Sequence, residues 1–426
     1  MKPSIKTLAF TLVSSIVLGA ALTGCNGGSS SDPGKTTPPA DDSGPKTTST
    51  RPAPPKDGPM AEGDTIKIGT VCSVTGDNKP WGEDSYQGSL LAVEEFNAAG
   101  GLNGKKVELI LGDSASKPDQ AKTATEKLMS QGVIALIGEV SSGNTIQMAK
   151  SAFPQGIPVV AVGATRTDLG NEGTHVFRVC YSDDFQGPVM AKFAYDLKGC
   201  RNVAVMTDTS LPYSQGLSAS FIATFEKLGG KVKEHKYTSV GGTNNYSGQL
   251  TEVKSENPDG MFLSGYFTEV GPIVNQARAA GITVPVMGGD GWDSDQILAS
   301  GGDAIVGGYF CNHYNNADKR PQVTDFLNKW HAKHGGKDPG TTMGALGYDA
   351  MALTLDALKR AKSVGAKGIL DALEDTVDYK GVSGDITLRG MNGNPEKRAI
   401  VVEITKKDAA GNWQKFAKDF IPADLK

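Results

Sequence analysis

The chain has 426 residues and a formal charge of −4. The length exceeds one comfortable core and predicts at least two compact units. No basic block is present, which excludes a nucleic-acid partner of the usual electrostatic kind, and the five cysteines show no C-x-x-C or metal spacing.

At the start, Lys2 and Lys6 precede an apolar run from Leu8 to Leu22, and "LTGC" closes the segment at Cys25. A charged n-region and a short h-region predict a secretory leader over 1–25, too short to span a bilayer as a helix. The ending resembles a lipobox, which makes Cys25 the expected lipidation site and anchors the chain to a membrane. Residues 26–62 hold eight of the 22 prolines and no aromatic residue. Such a segment is expected to be a disordered tether, because it buries too little to offset its ordering entropy.

From Asp64 onward the pattern changes to strands alternating with helices. "IKIGTVCSV" reads as a strand and 84–99 as a helix capped by Asp84 or Ser85 and ended by Gly100-Gly101. "KVELILGD" is a strand, "PDQAKTATEKLMSQG" a helix from Pro118, and "VIALIG" a strand covered on both faces. A helix through "NTIQMAKSAFPQG" and the strand "IPVVAVGA" follow. The rhythm continues with strands "NVAVMTD", "KVKEHKY", "GMFLSGY" and "VPVMGGD" and with helices over 214–228, 245–256 and 269–280. Beyond 313 come helices over 321–334, 342–361 and 366–375, then hairpins. This order predicts an α/β protein with doubly wound parallel sheets in two lobes. Cys72, Cys180, Cys200 and Cys311 remain in the folded part. The compartment permits disulfides, but Cys180 and Cys200 flank a predicted helix, and buried free thiols are an equally good expectation.

In open α/β sheets ligands sit beyond the carboxyl ends of the strands. This chain places Trp81 after the first strand, Ser141 and Ser142 after "ALIG", Thr165 after "VVAVGA", Tyr213 after "VAVMTD", Tyr266 and Phe267 after "MFLSG", and Asp290 and Trp292 after "VPVMGG". Hydroxyls at helix starts suit an anion. An acid flanked by aromatic rings suits a cation. Ser142 and Thr165 taken singly read equally as helix caps. Together the six strand ends fit a zwitterion, of which an α-amino acid is the simplest.

The phrases "FNAAGGLNGKKVELILGD", "LIGEVSSGNT", "PVVAVGAT" and "QARAAGITVPVMGGDGW" resemble the leucine/isoleucine/valine-binding proteins of bacterial ABC importers, which are type I periplasmic binding proteins. The resemblance covers nearly all of 63–426. It implies two lobes joined by three hinge strands, lobe 1 over 63–183 plus 313–387 and lobe 2 over 184–312 plus 388–426, closing on a ligand. It implies that Ser142 and Thr165 hold the ligand carboxylate, with main-chain groups of Ser141, Gly163 and Ala164 nearby. It also implies that Tyr213 and Asp290 hold the ammonium, and that Trp81 and Tyr266 form the wall, with Trp292 and Met343 as further candidates. Asp290 departs from the Glu usual in the family, and Ser116 and Ser141 stand where the family has a disulfide. The implied partners are a free amino acid, branched-chain or other apolar or aromatic, and an ABC permease and ATPase in the inner membrane. The chain is then a monomer in the periplasm or at the cell surface. A ligand-sensing receptor of the same fold is the alternative.

An enzyme is not expected. A G-x-S-x-G elbow around Ser142 needs Gly at 140, and Val140 is there. There is no P-loop or dinucleotide fingerprint, and no cofactor is implied. His331 and His334 have helical spacing but sit in the polar "NKWHAKHGGK", which reads as a solvated face and not as a metal site.

Overall fold

The structure, a computed structural model, describes residues 50–239, 244–409 and 411–425. The expected leader, Cys25 and the first part of the expected tether lie outside the described residues.

Two sheets organise the chain. The first is built from β1 (Thr65–Cys72), β2 (Lys106–Asp113), β3 (Leu136–Ile137), β4 (Val159–Ala161) and β5 (Val176–Arg178), with α1 (Lys79–Ala98), α2 (Pro118–Ser130) and α3 (Ser142–Ala152) between them. Its order is β2-β1-β3-β4-β5, and every pairing is parallel. The second contains β6 (Asn202–Asp208), β7 (Lys231–Tyr237), β8 (Gly260–Leu263), β9 (Val286–Gly288) and β10 (Tyr309–Asn312), connected by α5 (Pro212–Lys227), α6 (Ser247–Glu256), α7 (Phe267–Ala279) and α8 (Gln296–Gly301) after the entering helix α4 (Asp183–Lys192). The chain then returns to the first lobe with α9 (Pro321–Lys333), α10 (Met343–Arg360), α11 (Ala366–Glu374) and the small hairpin β11 (Tyr379–Gly381) and β12 (Gly384–Ile386). It crosses once more to add β13 (Ala399–Ile404) and β14 (Gln414–Phe420). These last strands pair antiparallel, so the second sheet, β14-β13-β10-β9-β8-β6-β7, is parallel only over its first five strands. The expected terminal hairpin thus becomes a sheet edge.

Alternation decides what each strand buries. In β1, Ile66 and Ile68 point to the core shared with Ala92, Val93 and Phe96 of α1. Val71 points to the opposite core with Leu128 of α2 and Met148 of α3. A sheet covered on both faces needs apolar residues on both, and these strands supply them. In each lobe the winding reverses between two adjacent strands, β1 and β3 in one and β6 and β8 in the other. Those are the positions where helices diverge and leave a crevice at the strand ends.

Helix α1 starts at Lys79, five residues before the expected cap. Its buried residues include the small Ser85, Gly88, Ser89 and Ala92 as well as the apolar Leu91, Val93 and Phe96. The small residues allow a close crossing with α10: a Cβ on Gly88 would lie 2.0 Å from Gly344 O, and one on Gly347 2.2 Å from Ser85 O. Asp84 is therefore not the N-cap of α1. It accepts the Thr341 N–H at 2.7 Å and the Thr341 hydroxyl at 2.9 Å, at the start of α10.

Residues 50–62 correct the tether boundary, because they lie against the first lobe. Arg51 donates to Gly173 O and Val176 O, and Thr174 N–H donates to Pro52 O at 2.9 Å. Ala366 N–H donates to Pro59 O and Ala61 N–H to Val364 O, both at 2.9 Å. Apolar content missed this segment, since hydrogen bonds from the Arg51 side chain and from backbone groups fix it and its prolines have little conformational freedom to lose. All four described cysteines are buried free thiols.

Candidate ligand-binding cleft

The strand ends of the two lobes meet around a narrow, partly open cleft with a free volume of only about 10 Å³. The first lobe contributes Trp81 from the first turn of α1, Val140 and Ser142 at the start of α3, Gly163 after β4, and Met343 at the start of α10. The second contributes Tyr213 from α5, Tyr266 before α7, and Asp290 and Gly291 from the turn after β9. Six of the expected site residues, Trp81, Ser142, Gly163, Tyr213, Tyr266 and Asp290, are thus brought together from chain positions far apart.

Each wall has its own chemistry. On the first, Ser142 opens α3, and its hydroxyl accepts the Arg166 N–H at 3.3 Å. Gly163 is small for a reason: a Cβ there would lie 2.8 Å from the Met343 sulfur and 3.0 Å from Val140 O. On the second, Tyr213 and Tyr266 stack with centroids 5.1 Å apart, and the Tyr213 hydroxyl accepts the Gly291 N–H at 3.0 Å. Burial drives both phenols well above their ordinary range, and Asp290 or Glu269 beside them adds to it. The Asp290 carboxylate accepts Gln186 Nε2 at 3.0 Å on one oxygen and lies 3.0 Å from His313 Nε2 on the other.

Gln186 ties Asp290 to a second buried acid. Its amide also donates to Asp183 at 2.7 Å, so one NH2 group serves two carboxylates. Burial, and then the charge of Asp290, push Asp183 up to about 7. The second Asp183 oxygen has no hydrogen-bond partner among the described residues.

Four expected residues are engaged elsewhere. Ser141 gives its N–H (3.0 Å) and its hydroxyl (3.3 Å) to the carboxylate of Glu139. Ala164 O accepts from Arg178 and Cys180, behind the wall. The Thr165 hydroxyl lies 3.5 Å from Gln186 Nε2, beside the acid pair, and Thr165 O accepts the Asp183 N–H at 2.7 Å. Trp292 is fully buried in the second lobe, donates to Leu263 O at 3.0 Å and packs flat on Gly288. An aromatic residue after a strand can turn into the cleft or back under its own sheet, and the Gly288 notch takes this one under.

Glu139, Asp183, Gln186 and His313 were not expected. Glu139 is fully buried and accepts from Ser73 Oγ (2.6 Å), Ser114 Oγ (2.7 Å) and Val140 N–H (2.9 Å), besides Ser141. It occupies the α3 N-terminal position that an isolated reading of the two serines gives to a ligand. The "GEV" preceding the serines was the available signal. Asp183 and Gln186 open the first helix after a lobe crossing, where strand-end reasoning does not look. The first helical residue Ser142 also lacks a histidine: His175 binds Ala149 O, His235 faces Glu252 and Glu256, His313 faces Asp290, His331 faces Asp338, and His334 stacks on Trp330. His331 and His334 thus have separate partners.

Two α/β lobes whose strand ends face each other across a cleft are the arrangement of a two-lobed binding protein. A periplasmic binding protein family model matches residues 65–410, and the chain belongs to that family. It is 30% identical to a Leu/Ile/Val-binding protein, BraC3, of Rhizobium johnstonii over 77% of this chain and 88% of that one. Among solved structures it is similar to a leucine-binding protein, LivK, of Thermotoga maritima, with TM-score 0.79 and 34% identity, covering 84% of this chain and 100% of that one. It is also similar to the branched-chain amino acid transporter substrate-binding protein LivJ of Streptococcus pneumoniae, solved with isoleucine, with TM-score 0.75 and 28% identity over 84% and 99% of the two chains. Among the described residues no helix is long and apolar enough to cross a membrane.

Proposed function

We propose that this chain is a non-catalytic, extracytoplasmic binding protein that captures an apolar α-amino acid, branched-chain or aromatic, and delivers it to an ABC permease and its ATPase. The observation that carries this reading is that Ser142 and Asp290 line opposite walls of one cleft. Asp290, with Tyr213 beside it, takes the ammonium. Ser142 and the first turn of α3 take the carboxylate. Trp81, Tyr266 and Met343 surround the side chain. The leucine- and isoleucine-related names of the similar proteins support the same class. The cleft's free volume of about 10 Å³ suffices for about one water, so the lobes part to admit an amino acid of any size.

Lipidation at Cys25 holds the monomeric chain at a membrane in the periplasm or at the cell surface, and a Cys25→Ser chain is expected in the soluble fraction. A thermal-shift screen over the common amino acids tests the binding role. Valine, isoleucine or leucine at 100 times its dissociation constant adds about 2.7 kcal/mol of stability. No shift with any amino acid at millimolar concentration contradicts the proposal.

A further inference from the structure

We propose that Asp293, which does not line the cavity, is the positioning residue that couples ligand capture to lobe closure, by capping a first-lobe helix from the second lobe. The inference deepens the amino-acid reading and rests on it for its ligand. Asp293 follows the short turn Asp290–Trp292, and its N–H donates to Asp290 O at 3.0 Å. The acid that faces the cavity and the acid that crosses the cleft therefore move as one piece.

Three bonds cross from Asp293 to the first lobe. One carboxylate oxygen accepts the Thr342 N–H and the Thr342 hydroxyl, both at 2.7 Å. Thr342 immediately precedes α10, so the carboxylate sits at the positive end of an 18-residue helix that belongs to the other lobe. The backbone oxygen of Asp293 accepts the Trp81 indole N–H at 2.7 Å, which sets the position of a ring that lines the cavity. The other carboxylate oxygen is held from behind by Gln414 of β14 at 2.8 Å. Asp293 is fully buried, and among the described residues no lysine or arginine pairs with it. A carboxylate buried without a cation is costly unless its hydrogen bonds are complete. Opening the lobes trades those bonds for water; closing them completes the cap and the wall together.

The molecule contains its own control. Asp84 makes the same pair of bonds to Thr341, one residue earlier, but from α1 of the same lobe. Asp84 can stabilise α10 without sensing closure.

The test compares Asp293→Asn, Thr342→Val and Asp84→Asn with the wild type in full-length protein, using valine as ligand. Asp293→Asn is expected to weaken valine binding about 10- to 100-fold, chiefly through faster dissociation in stopped flow, with the melting temperature of ligand-free protein unchanged. Thr342→Val should do the same to a smaller extent. Asp84→Asn should lower the melting temperature and leave affinity alone. By small-angle scattering, Asp293→Asn should be more expanded than wild type both with and without valine. Equal dissociation rates, or equal radii of gyration under both conditions, overturn the proposal. So does an Asp293→Asn protein that loses only melting temperature, as Asp84→Asn does. If the wild type itself ignores valine, the ligand reading fails, and the scattering comparison without ligand still decides the latch.

Discussion

The two walls of the cleft solve opposite electrostatic problems with different means. The first wall has an acid of its own, Glu139, but encloses it: five donor contacts from Ser73, Ser114, Val140 and Ser141 surround its carboxylate. What this wall offers the cavity is neutral, namely Ser142, Gly163 and the rings and thioether around them. The second wall leaves its acid turned to the cavity. Asp290 is held by one amide and one imidazole, with Asp183 behind it and incompletely bonded. A saturated carboxylate is structural, whereas an undersaturated one beside a cavity attracts a cation. The contrast sets apart two buried acids a few residues from strand ends by how completely each is hydrogen-bonded.

The sharpest way to break the comparison is to remove each acid in turn. Asp290→Asn should cost about 3–5 kcal/mol of amino-acid binding, because the ligand ammonium loses its buried partner. The ligand-free fold should hold, since relief of the Asp183–Asp290 repulsion offsets the lost bonds. Titration calorimetry with circular dichroism checks both. Glu139→Gln should do the reverse. Its NH2 group cannot accept from the donors that face one of the two Glu139 oxygens, so stability should fall by about 2–3 kcal/mol in urea unfolding, with little change in affinity. Large affinity loss in Glu139→Gln with intact stability would reverse the assignment of the two walls. Ser142→Ala should weaken binding by about 2 kcal/mol, the worth of a hydrogen bond to a charged group, without altering the melting temperature.

The smallest effect concerns pH. Burial pushes Asp183 and Glu269 in the second lobe, and Asp84 in the first, up to about 7. Unfolded carboxyls titrate near 4, so over this window the folded chain binds more protons and stability rises as pH is lowered from 8 towards 5. His175, pushed down to about 4 by burial, acts in the opposite sense and withdraws stability as pH falls below about 6.5. Melting temperature should therefore rise from pH 8 to 6 and then level. Asp183→Asn should flatten part of that rise, and a profile that falls from pH 8 to 6 in the wild type would contradict these shifts.

Much of this was legible in the sequence, for physical reasons. Buried parallel strands are continuous apolar runs, and β1, β3, β4, β6, β8 and β9 announced themselves in that way, whereas the short β5 and β10 were not foreseen. Pro118 and Pro321 marked helix starts at which the structure agrees. The rule that ligands meet strand ends found six lining residues. It failed where a residue's direction depends on a tertiary neighbour. Trp292 turns under Gly288, Ser141 turns to Glu139, and α1 starts early because α10 crosses it closely at Gly88 and Gly347. The Asp183–Gln186–Asp290 network joins residues about a hundred positions apart, and no local pattern encodes such a contact. The segment 50–62 was missed because its attachment is made by hydrogen bonds from Arg51 and from backbone groups, which apolar composition does not weigh.

The central claim is that one ligand is held by both charges, one at each wall. Calorimetric titration of the wild type with valine, isovalerate and isobutylamine tests it most directly, because the last two each lack one charge of the first. Valine should bind, and each analogue should bind at least about 100-fold more weakly, as expected when a buried charged group loses its partner. Isovalerate binding as tightly as valine would show that Asp290 holds no ammonium and would contradict the account.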